Sequence, residues 1–336
     1  MAADGAAHLR GTAPGGSGLP PAGPRRVREL LYVVGHHRSG ATAFGSILAG
    51  DPKVFFVGEL YRFPNPIWTS GDGRRLCSCG APVLSCPFWN EVRRRAESEG
   101  LVEQLRRGQS TYERWSGLPR TLLASALHRP GLRRHCEAMV RFLEILADCS
   151  GADILVESGP SAARARVYYE ARALGLNVRF IHMVRDGRGF MVSELRTGPD
   201  PEAPGDWIHH PLVVAGRWAW MNLAAVLLCG GDRSRYLRIR YEDLLRDPRR
   251  ALEEVGRIGE LDLTDTASRI ESEVPIPMRH LAAGNRVRLE GGIVLHRQPP
   301  ATPALPWVAS AVFWVTAGWI AGLLGYHPRE SYRRPG

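Results

Sequence analysis

Lysine is almost absent from this chain. Of its 44 basic residues only Lys53 is a lysine, and all the others are arginines. The sequence also lacks a long basic run and any interleaving of basic and aromatic residues of the kind that stacks nucleic-acid bases. Because alanine and glycine are abundant as well, the arginine bias is typical of GC-rich coding. The net charge of +10 is therefore weak evidence for nucleic-acid binding. We predict no nucleic-acid partner, and a small anionic ligand is the favoured explanation of the charge.

Cysteine is scarce as well. Six cysteines in 336 residues argue against a small fold held together by disulfides. Residues 1–28 are rich in glycine, alanine and proline but contain no apolar run of the length that a secretory signal peptide needs. We therefore expect a disordered N-terminal tail and a cytoplasmic location. The 44% hydrophobic content is that of a globular protein, and residues 29–328 are predicted to form its domain.

The stretch from Leu31 to Asp51 has the pattern of a strand, a tight loop and a helix. An apolar run predicts a buried strand, and apolar residues recur at helical spacing after Thr42. This geometry directs backbone N–H groups and a helix N-terminus at an anion. A nucleoside-triphosphate loop would need a lysine where this chain has Ala41, and the cation here is Arg38 instead. A guanidinium suits an oxyanion that carries less charge than a γ-phosphate; an ordinary strand–helix turn is the alternative.

Four further apolar runs predict strands, and helical patterns alternate with them. The strands are predicted over residues 54–57, 152–156, 178–184 and 236–239. This alternation predicts an α/β fold with a central parallel sheet flanked by helices. Such sheets bind ligands beyond the carboxyl ends of their strands. The polar residues expected at those ends are Arg38, Glu59, Ser158, Arg185 and Ser193.

Two of these strand ends carry candidate functional groups. Glu59 directly follows the second strand, where a carboxylate can act as a general base, although a helix N-cap or a surface ion pair is the alternative. Arg185 follows the fourth strand, and together with Ser193 it predicts a second phosphate site. A local ion pair between Arg185 and Asp186 is the alternative there.

Residues 61–135 are predicted to be an insertion that covers the substrate. They contain Cys77, Cys79 and Cys86, and three cysteines so close together are able to ligate zinc. Because no fourth ligand lies nearby in the sequence, a packed or partly oxidised loop is the preferred interpretation. From Trp89 to Arg107 the pattern predicts one amphipathic helix with a solvated charged face.

Two long apolar segments are predicted to be helices. Residues 299–326 contain no charge, and Trp307 to Leu324 is long enough to span a membrane. A helix docked on the domain is preferred, since prolines precede this segment and glycines follow it, so membrane contact through 307–324 is the second choice. The other segment, residues 207–228, carries Trp218 and Trp220, which we expect in the core.

These motifs together resemble the sulfotransferases that use 3′-phosphoadenosine 5′-phosphosulfate (PAPS). The loop Arg38-Ser39-Gly40-Ala41-Thr42 is similar to the R-S-G-T-T loop that binds the 5′-phosphosulfate in this family. The run Val184-Arg185-Asp186-Gly187-Arg188 with Ser193 resembles the V-R-D-x-R…S element that holds the 3′-phosphate. Tyr241 lies in a segment that looks like the Y-E-D-L of the family.

The resemblance extends to a branch common in bacteria. His280 to Arg288 is similar to its H-x-x-x-G-N-x-x-R loop, and the C-x-C-G…C-P-F-W segment and the closing Gly325-Tyr326 match it too. The resemblance implies a three-layer fold like that of the P-loop nucleoside triphosphatases. It also implies that PAPS is held by Arg38, Ser39, Gly40, Ala41, Thr42, Arg185, Ser193, Tyr241, Asn285, Arg286 and Arg288.

The implied reaction is transfer of a sulfuryl group from PAPS to a hydroxyl, or as second choice an amine, without a metal. Arg38 and Glu59 are the implied catalytic residues, since Glu59 matches the glutamate base of the tyrosylprotein and several carbohydrate branches. One departure is Pro160, which stands where the branch has a lysine, and Arg62 or Arg164 is the candidate to replace that lysine. A catalytically impaired PAPS-binding protein and a P-loop nucleotide kinase are the alternatives. The acceptor, a small molecule or a carbohydrate, is not identified by any motif.

Overall fold

The computed structural model describes residues 29–63, 76–197, 210–284, 289, 292–295 and 305–328. The predicted tail and the residues Asn285, Arg286 and Arg288 lie outside this part of the chain. Five strands are described: β1 (Glu29–Val34), β2 (Val54–Gly58), β3 (Ile154–Gly159), β4 (Val178–Val184) and β5 (Tyr236–Arg240). The described α-helices are α1 (Ala41–Leu48), α2 (Pro87–Ser98), α3 (Leu101–Gly108), α4 (Leu118–Ala126), α5 (Pro130–Ser150), α6 (Ala162–Ala171), α7 (Gly187–Thr197), α8 (Pro211–Cys229), α9 (Tyr241–Arg246), α10 (Pro248–Gly259), α11 (Thr264–Glu271) and α12 (Trp307–Leu323).

The five strands form one parallel sheet in the order β2-β3-β1-β4-β5. β1 lies at the centre, where Val33 pairs with Ser158 on β3 and with Ile181 on β4. All strands therefore end at the same edge of the sheet, and the residues that follow them become neighbours. The predicted α/β fold with a central parallel sheet is confirmed.

Helices cover both faces of the sheet because successive side chains of a strand point to opposite sides. On β1, Leu30, Tyr32 and Val34 pack into a core shared with residues of α5 and α6, whereas Leu31 and Val33 join α1, α10 and α11. All five of these side chains are buried. A sheet buried on both faces is typical of parallel α/β folds, and the result is three layers.

The helix predicted from Trp89 to Arg107 is two helices. Gly100 separates α2 from α3 with a φ of +65°, a left-handed backbone conformation that glycine adopts without a steric cost. Phe88 and Trp89 at the start of α2 are buried and belong to the core that α5 completes. The described part of the predicted insertion thus packs closely onto the sheet layer.

The two apolar helices α8 and α12 pack against each other. Trp218 of α8 is fully buried as predicted, but Trp220 is 48% exposed, so its expected place in the core is wrong. Phe313 on α12 lies against the Trp218 ring, with 5.4 Å between the ring centroids. Within the described residues, α8 is the one helix whose length and composition would allow it to cross a membrane, a test that core helices also pass.

Candidate functional site

The loop between β1 and α1 makes a tight turn at the carboxyl edge of the sheet. Gly35 allows a close approach, since a Cβ atom there would lie 2.5 Å from the carbonyl oxygen of Met183. Gly40 has a φ of +91° and faces the ring of Tyr241, whose Cδ2 atom would lie 2.5 Å from an added Cβ. Arg38 also has a positive φ, of 63°, which is rare for a residue with a side chain. Strained backbone of this kind clusters at ligand-binding sites.

Some polar groups of this loop lack hydrogen-bond partners among the described residues. Gly40 caps α1 without a side-chain hydrogen bond, and no acidic residue lies in the first turn of that helix. The Ser39 hydroxyl is buried and makes no hydrogen bond within the described structure. Because buried polar groups are normally satisfied, and because a helix N-terminus attracts negative charge, this loop is suited to an anion.

Arg185 and Tyr241 hold the loop from the neighbouring strands. Arg185 follows β4, and its Nη1 donates a hydrogen bond to the Arg38 carbonyl at 3.1 Å. The Arg185 guanidinium also lies over the ring of Tyr241, 5.2 Å from the ring centroid. Tyr241 begins α9 directly after β5 and covers Gly40. The structure thus brings together four of the residues that the sequence assigns to the donor site.

The residues beside Tyr241 and Arg185 have a supporting role. Glu242 is buried and accepts hydrogen bonds from the Asp186 backbone N–H at 2.9 Å and from the Tyr326 hydroxyl at 2.8 Å. Burial raises the pKa of the Glu242 carboxyl. Asp186 pairs with Arg188 at 2.7 Å rather than with Arg185. The alternative of a local pair between Arg185 and Asp186 is therefore wrong, and Arg185 stays at the cavity.

Glu59 follows β2 at the same edge, and its two carboxylate oxygens differ in their hydrogen-bond partners. Its Oε2 accepts hydrogen bonds from the Tyr61 hydroxyl at 3.1 Å and from Arg62 Nε at 2.5 Å. Its Oε1 has no partner among the described residues. The side chain is 17% exposed and lines the cavity. Glu59 does form an ion pair, as the alternative reading held, and this pair uses one of its oxygens.

A cavity of about 800 Å³ joins these groups. Its arginines, among the described residues, are Arg38 and Arg185. The other predicted site residues with a described side chain also line it: Ser39, Gly40, Ala41, Thr42, Glu59, Ser158, Ser193 and Tyr241. Asn285, Arg286 and Arg288 lie outside the described residues, so their roles stay predictions.

Sequence reasoning missed three features of the cavity. Glu194 lines it and lies 3.7 Å from Arg38. His36 lines it too, with a buried Nε2 that has no partner within the described structure. Burial lowers the pKa of His36 to about 4, so its ring is neutral at pH 7. Residues 293–295 form an apolar wall. Because Glu194 directly follows the motif residue Ser193 in the sequence, its place at the cavity could have been predicted.

Within the described part of the chain, no arginine replaces the missing lysine from the side of β3. Pro160 lines the cavity, but Arg164 is fully buried in α6 and pairs with Glu157 at 2.6 Å and with Glu113. The expectation that Arg164 compensates is therefore wrong, because two buried carboxylates hold its guanidinium. Arg62 forms its ion pair with Glu59 and does not line the cavity.

The chain was compared with protein families, with curated proteins and with solved structures. No family model and no curated protein matches the chain. Among solved structures, it is similar to the sulfotransferase domain of the Synechococcus PCC 7002 olefin synthase, with 16% identity, 92% of this chain and 98% of that chain covered, and a TM-score of 0.46. It is similar to the sulfotransferase domain of the curacin biosynthetic pathway, with 16% identity, coverages of 90% and 99%, and a TM-score of 0.45. A sulfotransferase of Mycobacterium tuberculosis H37Rv shows 19% identity, coverages of 72% and 70%, and a TM-score of 0.43.

Proposed function

We propose that this protein is a sulfotransferase that moves a sulfuryl group from PAPS to a hydroxyl of a small-molecule or carbohydrate acceptor. Its main support is the cavity at the carboxyl edge, where an anion-binding loop without a lysine and a second arginine border the same space. A donor with two separate anionic groups matches two separate cations. An amine is the second choice of acceptor.

The phosphosulfate end of the donor is assigned to the loop between β1 and α1. Arg38 supplies a side chain that is 51% exposed, and Ser39 supplies a buried hydroxyl without a partner in the described structure. The first N–H groups of α1 point toward the same anion, as helix N-termini do. Glu194, at 3.7 Å from Arg38, limits how much negative charge this end of the cavity accepts.

The 3′-phosphate is assigned to Arg185 and Ser193. Arg185 is anchored through its Nη1 to the Arg38 carbonyl, and Trp218 Nε1 donates a hydrogen bond to the Arg185 carbonyl at 3.2 Å. These contacts fix the position of the guanidinium before the donor binds, which reduces the entropy lost on binding. Asn285, Arg286 and Arg288 are proposed to close over this phosphate.

The transfer step follows from these positions. The acceptor oxygen attacks the donor sulfur in line, the bond from sulfur to the 5′-phosphate oxygen breaks, and the acceptor proton passes to Glu59 Oε1. Arg38 and the N–H groups of residues 39–42 stabilise the charge that grows on the departing phosphate oxygen. Positioning and fixed positive charge supply this catalysis, so the proposal assigns no metal to the reacting atoms.

The first test is thermal unfolding with adenosine 3′,5′-bisphosphate, the desulfated donor, and separately with ATP and Mg²⁺. A ligand that binds only the folded state, present at 100 times its dissociation constant, adds about 2.7 kcal/mol of stability. We expect the bisphosphate to raise the melting temperature and ATP with Mg²⁺ to leave it unchanged. A shift with ATP alone would favour the nucleotide kinase and overturn the proposal.

A pair of variants assigns the binding to this cavity. Arg38→Ala is expected to lose most of the shift caused by the bisphosphate. Arg106→Ala is the matched control, because the Arg106 side chain on α3 is 52% exposed, like that of Arg38, and lies outside the cavity. If the bisphosphate raised the melting temperature of both variants equally, the donor would have to bind at another site.

One alternative function has a specific observation in its favour. Pro160 stands at the position of the family's lysine, and Arg164 is committed to buried ion pairs, which is what an impaired protein that only binds the donor would show. Turnover separates the two functions. PAPS incubated with a panel of hydroxyl compounds should yield adenosine 3′,5′-bisphosphate faster than without them, whereas a binding protein would show the thermal shift and no release.

A further inference from the structure

Four potential metal ligands from distant parts of the sequence meet outside the proposed active site. They are Cys77, Cys79, Cys86 and His280, and their ligand atoms all lie within 4.8 Å of one another. Cys86 Sγ is 3.3 Å from His280 Nδ1 and 3.7 Å from Cys79 Sγ, and Cys77 Sγ is 3.9 Å from the same nitrogen. The fourth ligand that the sequence near the cysteines lacks is thus His280, 194 residues beyond Cys86.

Three of the six separations between these atoms match a tetrahedral zinc site, and the other three lie within 4.8 Å. With Zn–S bonds of about 2.3 Å and Zn–N bonds of about 2.0 Å, sulfur atoms lie about 3.8 Å apart and a sulfur and a nitrogen about 3.6 Å apart. The three separations given above fall within a few tenths of an ångström of these values. Three thiolates and one imidazole are also a common ligand set of structural zinc.

The protein holds the ligands in place by contacts of its own. The Cys77 N–H donates to the Ala81 carbonyl at 2.8 Å, and the Gly80 N–H donates to the Cys77 carbonyl at 2.9 Å, so the Cys77–Cys79 turn is closed without a metal. The His280 ring stacks on Phe88 at 5.4 Å, and its carbonyl accepts a hydrogen bond from Trp89 Nε1 at 3.0 Å. Such outer contacts orient the ligands of a metal site.

We propose that Cys77, Cys79, Cys86 and His280 bind one structural Zn²⁺ that joins the turn before α2 to the segment leading into the active-site cavity. Four protein ligands fill a tetrahedral zinc, which leaves no open position for a substrate. The ion therefore has a structural role.

The zinc site is connected to the cavity by a short piece of chain. Directly after His280, Leu281 exchanges hydrogen bonds with Ser78, at 2.8 and 3.0 Å. Ala283 approaches Gly58 so closely that a Cβ there would lie 2.6 Å from the Ala283 carbonyl oxygen. Gly284 then lines the cavity beside Thr42. The ion thereby fixes the start of the segment whose next residues are Asn285 and Arg286.

The test measures metal content and needs no acceptor. Purified full-length protein, dialysed without added metal, is analysed by inductively coupled plasma mass spectrometry, and about one zinc per chain is expected for a filled tetrahedral site. Replacement of Zn²⁺ by Co²⁺ should give the absorption bands of a tetrahedral thiolate-ligated ion. Metal-free wild-type protein with six free thiols, or with a Cys79–Cys86 disulfide in its peptide mass map, would overturn the proposal.

Two cysteine variants locate the ion. Cys79 is exposed, so Cys79→Ser should fold, and it is expected to lose its zinc to a chelator dialysis that the wild-type protein withstands. Cys149→Ser is the matched control, since this half-buried cysteine lies outside the cluster and its loss should leave the zinc in place. Full zinc retention in Cys79→Ser would contradict the assigned ligand set. The zinc measurement does not depend on donor binding, so either proposal can be disproved without affecting the other.

Discussion

At the scale of single residues, the cavity is lined by polar groups whose hydrogen-bonding capacity is only partly used within the described structure. Glu59 has both of its hydrogen bonds at Oε2, Arg185 has one donor on a backbone carbonyl, and the Ser39 hydroxyl has no partner in the described structure. A site that is ready for a charged ligand has this form, because the ligand supplies the missing partners. Residue substitutions should therefore change function more than stability.

The clearest case is Glu59→Gln. The amide keeps the size of the side chain but cannot accept the acceptor proton, so we expect turnover to fall by about 10²-fold or more. The shift in melting temperature caused by adenosine 3′,5′-bisphosphate should stay as in the wild-type protein, because Glu59 is not assigned to the donor. Release of the bisphosphate from PAPS and thermal unfolding give the two readouts. If the variant lost the thermal shift instead, Glu59 would be a structural residue.

At the scale of elements, buried polar clusters tie helices to the sheet. Arg164 of α6 holds Glu157 of β3 and Glu113 of the turn after α3, and all three side chains are buried. Burial raises the pKa of Glu157 to about 7 in this cluster. His182 of β4 lies between the Tyr236 hydroxyl and the Asn222 amide oxygen, at 2.8 and 3.0 Å. Breaking such clusters leaves buried polar groups without partners, which costs more than the loss of a surface pair.

Arg164→Ala should lower the free energy of unfolding by about 3–5 kcal/mol, since it leaves two buried carboxylates without their cation. Urea denaturation measures the change. Arg94→Ala is the control: the side chain is 67% exposed and pairs with Glu91 on the surface, so its loss should cost less than about 1 kcal/mol. Similar losses in both variants would contradict the account of a buried cluster.

The pH dependence of stability tests the His182 contacts. Burial lowers the pKa of His182 to about 3 from an ordinary value of 6.5. Between these values the unfolded chain binds a proton that the folded protein does not, so this residue makes stability fall as the pH falls below 6.5. From pH 7 to pH 5 the loss is about 2 kcal/mol. His182→Gln should remove this part of the pH dependence in urea titrations, and an unchanged slope would place a charged His182 in the folded protein.

At the scale of the whole molecule, α8 and α12 pack against each other, and α8 also contacts β4. Phe313 and Ala317 of α12 are buried with Trp218 in one core. The opposite face of α12 leaves Val315 85% exposed and Trp319 55% exposed. The packing supports the preferred interpretation that α12 docks on the domain.

Docking of α12 predicts a contrast between two residues of the same helix. Phe313→Ala should lower the free energy of unfolding by about 3–5 kcal/mol, because it opens a cavity beside Trp218. Val315→Ala should change it by less than about 0.5 kcal/mol, as is usual for exposed positions. Urea denaturation without lipid or detergent measures both. Equal and small effects would mean that α12 does not depend on this core.

Local patterns predicted most of the fold. The five strands, the loop between β1 and α1, and the residues at the strand ends follow from side chains that are near one another in the sequence. One wrong prediction has a local cause, since Gly100 divides the helix expected from Trp89 to Arg107. Another was decided by a contact with a distant segment. Arg164 is a candidate to replace the lysine because it matches an arginine further along the family motif, but Glu113, 51 residues away in the sequence, holds it inside the protein.

Local patterns in the sequence are enough to predict a parallel α/β sheet, with a loop suited to an anion and arginines at one edge, because strand alternation and loop spacing are local properties. The tertiary structure decided which groups meet. It placed Tyr241 on Gly40, left Oε1 of Glu59 without a hydrogen bond among the described residues, and brought His280 to the three cysteines. These contacts join segments that the sheet order makes neighbours, and no local pattern encodes a distance between such segments.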